Sequence, residues 1–391
     1  MHEIRIPYPV LAGTPLIGEG NIIDNRSILS VLERAGIPGH GFHPHGLFVN
    51  MGRRFHMRMS MSTKETMDYA LNSERKRSAM MVQPLRWELR KALKKAVADY
   101  PDSFCFITSQ SMMAEESSGC LDHIPTVMAS SDVNGKYTHS SRLSDIQKKI
   151  TYLVWNKEAL HLYKNVLNLE NVHLIKPVDP IQAFVSDEND NLPFQYVRND
   201  PDVCFIKLSG SGGDPQLINA VITSLWNKSG VKSIVFPGTM ETLRHIIKTV
   251  GGNVTVDTSL DVSVFYHLAR LILSSEQMLL AFPSEQVKHL ALLAYYKIFP
   301  KVVWLPPRGV HELENMAWAM KKGFSTTVCI PSEYHVTLKK SLDRMGIAPS
   351  LPECVEPDKI SAGHFRTSPG YQIDDDACSL ESIVTKLATK T

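Results

Sequence analysis

Short apolar runs alternate with longer amphipathic stretches along almost the whole 391-residue chain. Runs of this length bounded by turn residues read as buried strands, and apolar residues at helical spacing between them read as helices. Strands alternating with helices predict parallel sheets in an α/β protein. Residues 4–11 read as the first strand and "GTPLIGEG" as its loop. "NIIDNRSILSVLERAG" follows as a helix closed by Gly36, a C-cap residue. "FCFITS" (104–109), "PTVMAS" (125–130), "KITYLVWN" (149–156) and "NVHLIKP" (171–177) are spaced as further strands. Residues 178–202, rich in Asp, Asn and Pro, read as a linker. The alternation then restarts with "VCFIKLSG", "SIVFPG", "NVTVD", "MLLAF", "VVWLPP" and "TTVCIP", and "SLESIVTKLAT" (379–389) is a last amphipathic helix. The expectation is two Rossmann-like domains facing a cleft, residues 1–180 and 201–365, joined by a linker at 181–200. A tail at 366–391 carries a C-terminal helix that could cross back.

One stretch poses a chemical question. "FIKLSGSGGDPQLINAVITSLW" (205–226) reads as strand, glycine-rich turn and helix. Asp214 is placed to cap the helix, and Pro215 suits its first position. A turn without bulky side chains at a helix start can aim backbone N–H groups at an anion. Equally, glycine there can serve only the tight geometry. The turn is not G-x-G-x-x-G and lacks the Lys-Ser/Thr of a P-loop, so neither a dinucleotide nor ATP is indicated.

Composition narrows the class. Apolar residues at 43% and charged ones at 21% describe an ordinary globular protein, and a net charge of +2 gives no whole-molecule attraction to anions. Six scattered cysteines without a C-x-x-C pair argue against a zinc ribbon or disulfide framework and for a reducing compartment. No run approaches the roughly 18 apolar residues of a membrane span. The charged start "MHEIRIPYPV" is unlike a signal peptide, so a cytoplasmic location is expected. The exception to the even charge is residues 53–95, with twelve Lys and Arg against four acidic residues and Met, Phe and Trp interleaved. A solvated helical face accounts for such a stretch, as does an anionic partner: a membrane surface or nucleic acid.

The second half carries a more specific likeness. After the glycine-rich loop comes "VVWLPPRGVHELENMAWAMKKG" (302–323), in which a strand ending in proline leads through a loop to a helix closed by Gly323. This resembles the GT-B glycosyltransferases, in particular the bacterial N-acetylglucosaminyltransferases that complete the lipid-linked peptidoglycan precursor, and their relatives. His311, Glu312, Asn315 and Met316 stand where that family has Asp-Gln-x-x-Asn-Ala. The resemblance implies a donor site on the second domain formed by Ser209, Gly210, Ser211, Gly212, Gly213, Ser284, Arg308, His311, Glu312 and Asn315. Glu312 would hold hydroxyls of the donor sugar, and Arg308 could neutralise diphosphate charge. As a bland alternative, Glu312 and Glu314 simply begin a solvated helix, where acidic residues suit the dipole. The sequence departs from the family at the ribose segment, where "AFPSEQVKHLALLAYY" keeps Ser284 but has no clear ribose-binding Glu. It departs again at the first loop, where Asn21 replaces a His.

The resemblance also implies that the first domain faces the acceptor and supplies a base. Glu19 on the first loop and Asp132 beyond the strand 125–130 are the two candidates, with Asn21 and Asn134 beside them on the acceptor side. Arg75, Lys76 and Arg77 within the basic stretch would hold a polyanionic or membrane-linked acceptor. No metal and no cofactor are expected, since the donor, most simply a UDP-sugar, is a co-substrate. The three histidines of "GHGFHPHG" (39–46) have metal-like spacing but no visible fourth ligand. The activity implied is inverting, metal-independent sugar transfer to a hydroxyl. Two alternatives stay open: a non-hydrolysing sugar-nucleotide epimerase, and a two-lobed binding protein or inactive transferase partner.

Overall fold

The computed structural model describes residues 9–13, 19–60, 62–71, 79–121, 123–130, 133, 148–178, 202–208, 213–236, 254–256, 277–284, 286–295, 299–367 and 376–389. The first half runs β1 (Val10–Gly13), α1 (Glu19–Arg34), β2 (Gly39–Phe42), α2 (Leu47–Ser60), α3 (Thr63–Leu71), α4 (Ala79–Asp99), β3 (Cys105–Thr108), α5 (Ser111–Cys120), β4 (Thr126–Ala129), β5 (Thr151–Val154), α6 (Lys157–His161) and β6 (Val172–Leu174). The second runs β7 (Val203–Lys207), α7 (Pro215–Ser229), β8 (Lys232–Phe236), β9 (Val254–Val256), β10 (Met278–Ala281), α8 (Gln286–Tyr295), β11 (Lys301–Trp304), α9 (Val310–Lys321), β12 (Thr327–Cys329), α10 (His335–Arg344), β13 (Glu353–Val355), β14 (Arg366–Thr367) and α11 (Leu380–Ala388). The expected linker falls outside the described residues apart from its edges.

The chain divides into two compact units. The first comprises Met1–Arg54, Lys76–Ala183 and Ile373–Thr391, and the second Phe55–Arg75 and Phe184–Gln372. In the first unit six parallel strands take the order β2-β1-β3-β4-β5-β6. Strands β1, β3, β4 and β5 are buried at every position, because helices cover both faces of a parallel sheet. One face packs Val10, Ala12, Ile107 and Val127 against Ile28 and Leu32 of α1 and against Leu380, Ile383 and Val384 of α11. The tail helix thus returns to complete the core of the unit where the chain began. Ser379 caps it by accepting from Ser382 N–H at 3.3 Å. Shortening this contact by one methylene, Ile383→Val, should lower stability by about 0.5–1.5 kcal/mol, read as a shifted denaturation midpoint with an unchanged m-value.

Two local readings change. "GHGF", read in the sequence only for its histidines, is the edge strand β2, paired with β1 from Val10↔Gly39 to Gly13↔Phe42. Its glycines admit α1: a Cβ on Gly39 would lie 2.4 Å from Leu29 Cδ2. Helix α1 starts at Glu19, so residues 19 and 20 are helical where a loop was expected.

In the second unit the parallel strands take the order β13-β12-β11-β10-β7-β8-β9, with β14 antiparallel to β11. Strand β7 lies inside the sheet; the chain winds outward through β8 and β9, then crosses to β10 and winds the other way. This is the doubly wound arrangement, with its topological switch point between β7 and β10, outside whose carboxyl ends such sheets bind ligands. As expected from the sequence, Asp214 caps α7 and Pro215 opens it; Gly230 closes the helix with a left-handed φ of 66°. Gly36 and Gly323 follow helices α1 and α9 at φ 77° and 82°. Among the described residues no helix is long and apolar enough to cross a membrane.

Candidate functional site

The switch point of the second unit gathers several of the residues singled out in the sequence. Strand β7 ends in buried Leu208, and the glycine turn begins there; Ser209, Gly210, Ser211 and Gly212 lie outside the described residues, and Gly213 ends the turn. Gly213 lies against the Phe282 ring, to whose Cζ a Cβ on the glycine would come within 3.0 Å. Phe282 follows β10 and is buried in the main core of this unit. The same ring meets Arg308, from the loop after β11, whose guanidinium carbon lies 4.3 Å from the ring centroid. Three adjacent strand ends are therefore joined through one aromatic ring.

Arg308 and Glu312 form a closed pair. Nη2 donates to Glu312 Oε1 at 2.6 Å, Nε reaches Oε2 at 3.4 Å, and the Arg308 backbone N–H donates to Oε2 at 2.7 Å. Both side chains are buried, with 8% and 3% exposed. The helix cap explains why the carboxylate sits here. Gly309 precedes α9 and offers no capping side chain, so Glu312 in the first turn serves the start of the helix. Glu312 is thus not the solvated helix-start residue of the bland reading. Asn315 is buried one turn on, at helical spacing from both His311 and Glu312.

Ser284 contributes a different signal. It sits two residues before α8, is 5% exposed, and its Oγ has no hydrogen-bond partner among the described residues. Its carbonyl accepts from Val287 N–H at 3.0 Å, which holds it at the helix entrance. A buried hydroxyl left unmade costs about 1–3 kcal/mol, so it marks a place where a ligand group fits. The start of α7 is occupied instead: Asp214 Oδ1 accepts from Gln216 and Leu217 N–H at 2.9 and 3.4 Å. Any anion at this switch point would meet the turn, Ser284 and the start of α8 rather than the first amides of α7.

Of the two base candidates in the first unit, Glu19 falls within a described element, following the carboxyl end of β1. Glu19 is the first residue of α1; its side chain and that of Asn21 lie outside the described set. Asp132 and Asn134 are also outside it, but Val133 between them is buried and its carbonyl accepts from Asn156 Nδ2 at 2.9 Å. His40 stacks on Tyr100 with ring centroids 4.1 Å apart. Among the described residues no group of three or more His, Cys, Asp or Glu is placed to hold a metal.

The basic stretch resolves into parts with different duties. Residues 55–75 belong to the second unit and the flanking residues to the first. On α4, Arg86 pairs inward with Glu115 and Glu116 of α5 at 2.8 and 2.6 Å, and Arg90 also binds Glu116. The hydrogen bond and charge of Glu116 push the Arg90 guanidinium pKa still higher. Lys91, Lys94 and Lys95 of α4 and Arg54 of α2 are exposed. Beside them stand exposed Leu47, Met51 and Trp87, at 66%, 43% and 61%. Glu88 ties the two helices together, accepting from Phe48 and Val49 N–H. Arg75, Lys76 and Arg77 lie outside the described residues.

Sequence reasoning missed Phe282 as the hub, although an aromatic closing a strand run was visible in "MLLAF". It also missed the Arg308–Glu312 pair, which four-residue spacing could have suggested.

No protein-family model matches the sequence, and no curated protein matches it. Solved structures do match in fold. A UDP-GlcNAc 2-epimerase from Neisseria meningitidis, bound to UDP-GlcNAc, superposes with a TM-score of 0.53 at 13% identity over 98% of this chain and 100% of that one. A candidate UDP-N-acetylglucosamine 2-epimerase from Listeria monocytogenes gives 0.51 at 9% identity over 91% and 94%. UGT89C1 from Arabidopsis thaliana, complexed with UDP, gives 0.51 at 11% identity over 86% and 90%. At such identities the likeness is one of fold, and it agrees with the strand orders described above. The chain has the two-unit α/β fold shared by GT-B glycosyltransferases and UDP-N-acetylglucosamine 2-epimerases.

Proposed function

We propose that the protein transfers a sugar from a nucleoside-diphosphate sugar, most simply a UDP-sugar, to a hydroxyl acceptor. The observation that carries this is the convergence at the switch point: the glycine turn after β7, the orphaned Ser284 hydroxyl after β10, and the Arg308–Glu312 pair after β11. The diphosphate lies against the backbone N–H groups of residues 209–213 and the Ser284 hydroxyl. Arg308, fixed by Glu312 and Phe282, supplies positive charge as the leaving group departs. Three Arg308 donors take three of the roughly four lone-pair sites of Glu312. The remaining site, with His311 and Asn315, meets the sugar hydroxyls.

Transfer is inverting and needs neither metal nor resident cofactor. The acceptor oxygen attacks the anomeric carbon, and its proton passes to a carboxylate of the first unit, Glu19 or Asp132. The glycosidic C–O electron pair leaves with the nucleoside diphosphate. A panel of nucleotide sugars in a thermal-shift assay, then mass spectrometry of products, tests this. At a hundred times its Kd a true donor adds about 2.7 kcal/mol of stability. No response to any nucleotide sugar would overturn the proposal.

The fold matches to two epimerase structures favour a second reading, in which a sugar nucleotide is epimerised with no acceptor present. Incubating UDP-GlcNAc alone in deuterated water separates the two. Deuterium at C2 of the recovered sugar nucleotide indicates epimerisation, and an unlabelled donor consumed only with acceptor indicates transfer.

On the acceptor side, Trp87, Leu47 and Met51 among Arg54, Lys91, Lys94 and Lys95 form an apolar surface ringed by cations, which suits an anionic membrane more than nucleic acid. Lys91 Nζ lies 5.5 Å from the Trp87 ring centroid. Each lysine near such a surface contributes about 1 kcal/mol. Lys91→Gln with Lys94→Gln should therefore weaken binding to phosphatidylserine vesicles about 30-fold. Tighter binding to duplex DNA than to vesicles, with a steep salt slope, would assign the surface to nucleic acid.

A further inference from the structure

Helix α3 comes from the first half of the chain yet folds into the second unit. It packs against α9 and α10, with Thr63, Thr66 and Met67 buried. Ser62 begins the helix, its Oγ accepting from Glu65 N–H and its carbonyl from Thr66 N–H. Thr63 is therefore a first-turn residue, whose N–H has no partner within its own helix. That partner is Asp214. Oδ2 of Asp214 accepts from Thr63 N–H at 3.0 Å and from Thr63 Oγ1 at 2.8 Å. Oδ1 meanwhile caps α7 through Gln216 and Leu217 N–H. One carboxylate so closes two helix starts drawn from opposite halves of the sequence, directly after Gly213.

We infer that Thr63 is a positioning residue for the donor site, holding Asp214 and through it the adjacent Gly213 and the start of α7 in one arrangement. This rests on the sugar-nucleotide reading above. The physical reason is entropy. Glycine loses more conformational freedom on ordering than any other residue, and the sequence places three glycines in the five residues before Asp214. Fixing one end of a ligand-binding segment beforehand lowers the ordering cost of binding. Asp214 by itself could cap α7 in more than one orientation. Two donors from Thr63 onto the second oxygen leave one. The holding segment leaves the first unit at Arg54 and returns to it at Lys76, so the contact on Asp214 comes from chain that is not local to it.

The test compares Thr63→Val, which keeps shape but loses the hydroxyl, with Thr63→Ser, which restores it, and with Asp214→Asn. Two readouts are taken on the full chain: UDP affinity by calorimetry, and deuterium uptake by the backbone of residues 209–217. The valine and asparagine variants should bind UDP about tenfold more weakly and exchange faster in that segment, and the serine variant should match wild type in both. With a donor and acceptor in hand, the loss should fall on donor KM and leave kcat in place. Wild-type affinity and exchange in a folded Thr63→Val protein would overturn the inference, as would a serine variant that fails to rescue. If wild type binds no UDP but exchange still responds to Thr63, the sugar-nucleotide reading fails while the hold on the turn stands.

Discussion

Glu312→Ala should destabilise the second unit by about 3–5 kcal/mol, the usual consequence of leaving one partner of a buried ion pair without its counter-charge. Arg308 would keep 8% exposure while losing the carboxylate that receives its guanidinium and its backbone N–H. The stacking on Phe282 would remain. Removing both charges together, Arg308→Met with Glu312→Leu, should recover much of the loss, because a well-packed apolar pair avoids the desolvation that the ion pair bears. Chemical denaturation of the two single variants and the double gives the coupling directly. A Glu312→Ala midpoint equal to wild type would mean that the pair is not buried in solution. Glu312→Gln separates structure from donor binding. The amide still accepts from Arg308, so UDP affinity should change by less than about threefold, whereas UDP-sugar affinity should fall about tenfold. Equal losses for both ligands would remove Glu312 from the sugar.

The second unit was readable because its strands are buried on both faces and so leave unbroken apolar runs. "MLLAF" became β10 and "VVWLPP" became β11, each fully or nearly fully buried. Local rules also placed Asp214, Pro215, Gly36 and Gly323, since capping depends on neighbours in sequence. Where partners are distant, the same sequence was silent. "GHGF" has no strand propensity, and β2 exists because β1 offers it a ladder and α1 needs its glycines. Nothing local marks α3 as part of the second unit, because its burial is decided by α9 and α10. The basic stretch looked uniform because its counter-charges, Glu115 and Glu116, lie on α5, beyond the end of the stretch. The donor-site candidates after β11 came from resemblance. That Glu312 spends most of its accepting capacity on Arg308 could be learned only from geometry.

Gly213→Val should weaken UDP-sugar binding by about a hundredfold or more while the protein still folds. The effect does not come from backbone strain, since Gly213 is not among the glycines with positive φ. It comes from space. A Cβ there would meet Phe282 Cζ at 3.0 Å, Cε2 at 3.3 Å and Leu208 Cδ2 at 3.5 Å. Valine adds two methyl groups to a contact that is already tight, and overpacking of this kind costs typically 1–3 kcal/mol, which a chain this size can bear. What the turn cannot bear is the direction of the response. Phe282 is buried, so its ring must tilt toward Arg308, or the turn must lift off the ring and carry its N–H groups with it. Either movement separates the turn from the charge on the neighbouring strand end. Gly213→Ala, with the Cβ alone, should lose only a few-fold in affinity, since a few tenths of an ångström of ring movement relieve its contact. Calorimetry with UDP and a UDP-sugar, beside the denaturation midpoints of both variants, reads these losses. A folded valine variant that binds either ligand as wild type does would show that the anion lies elsewhere than on this turn.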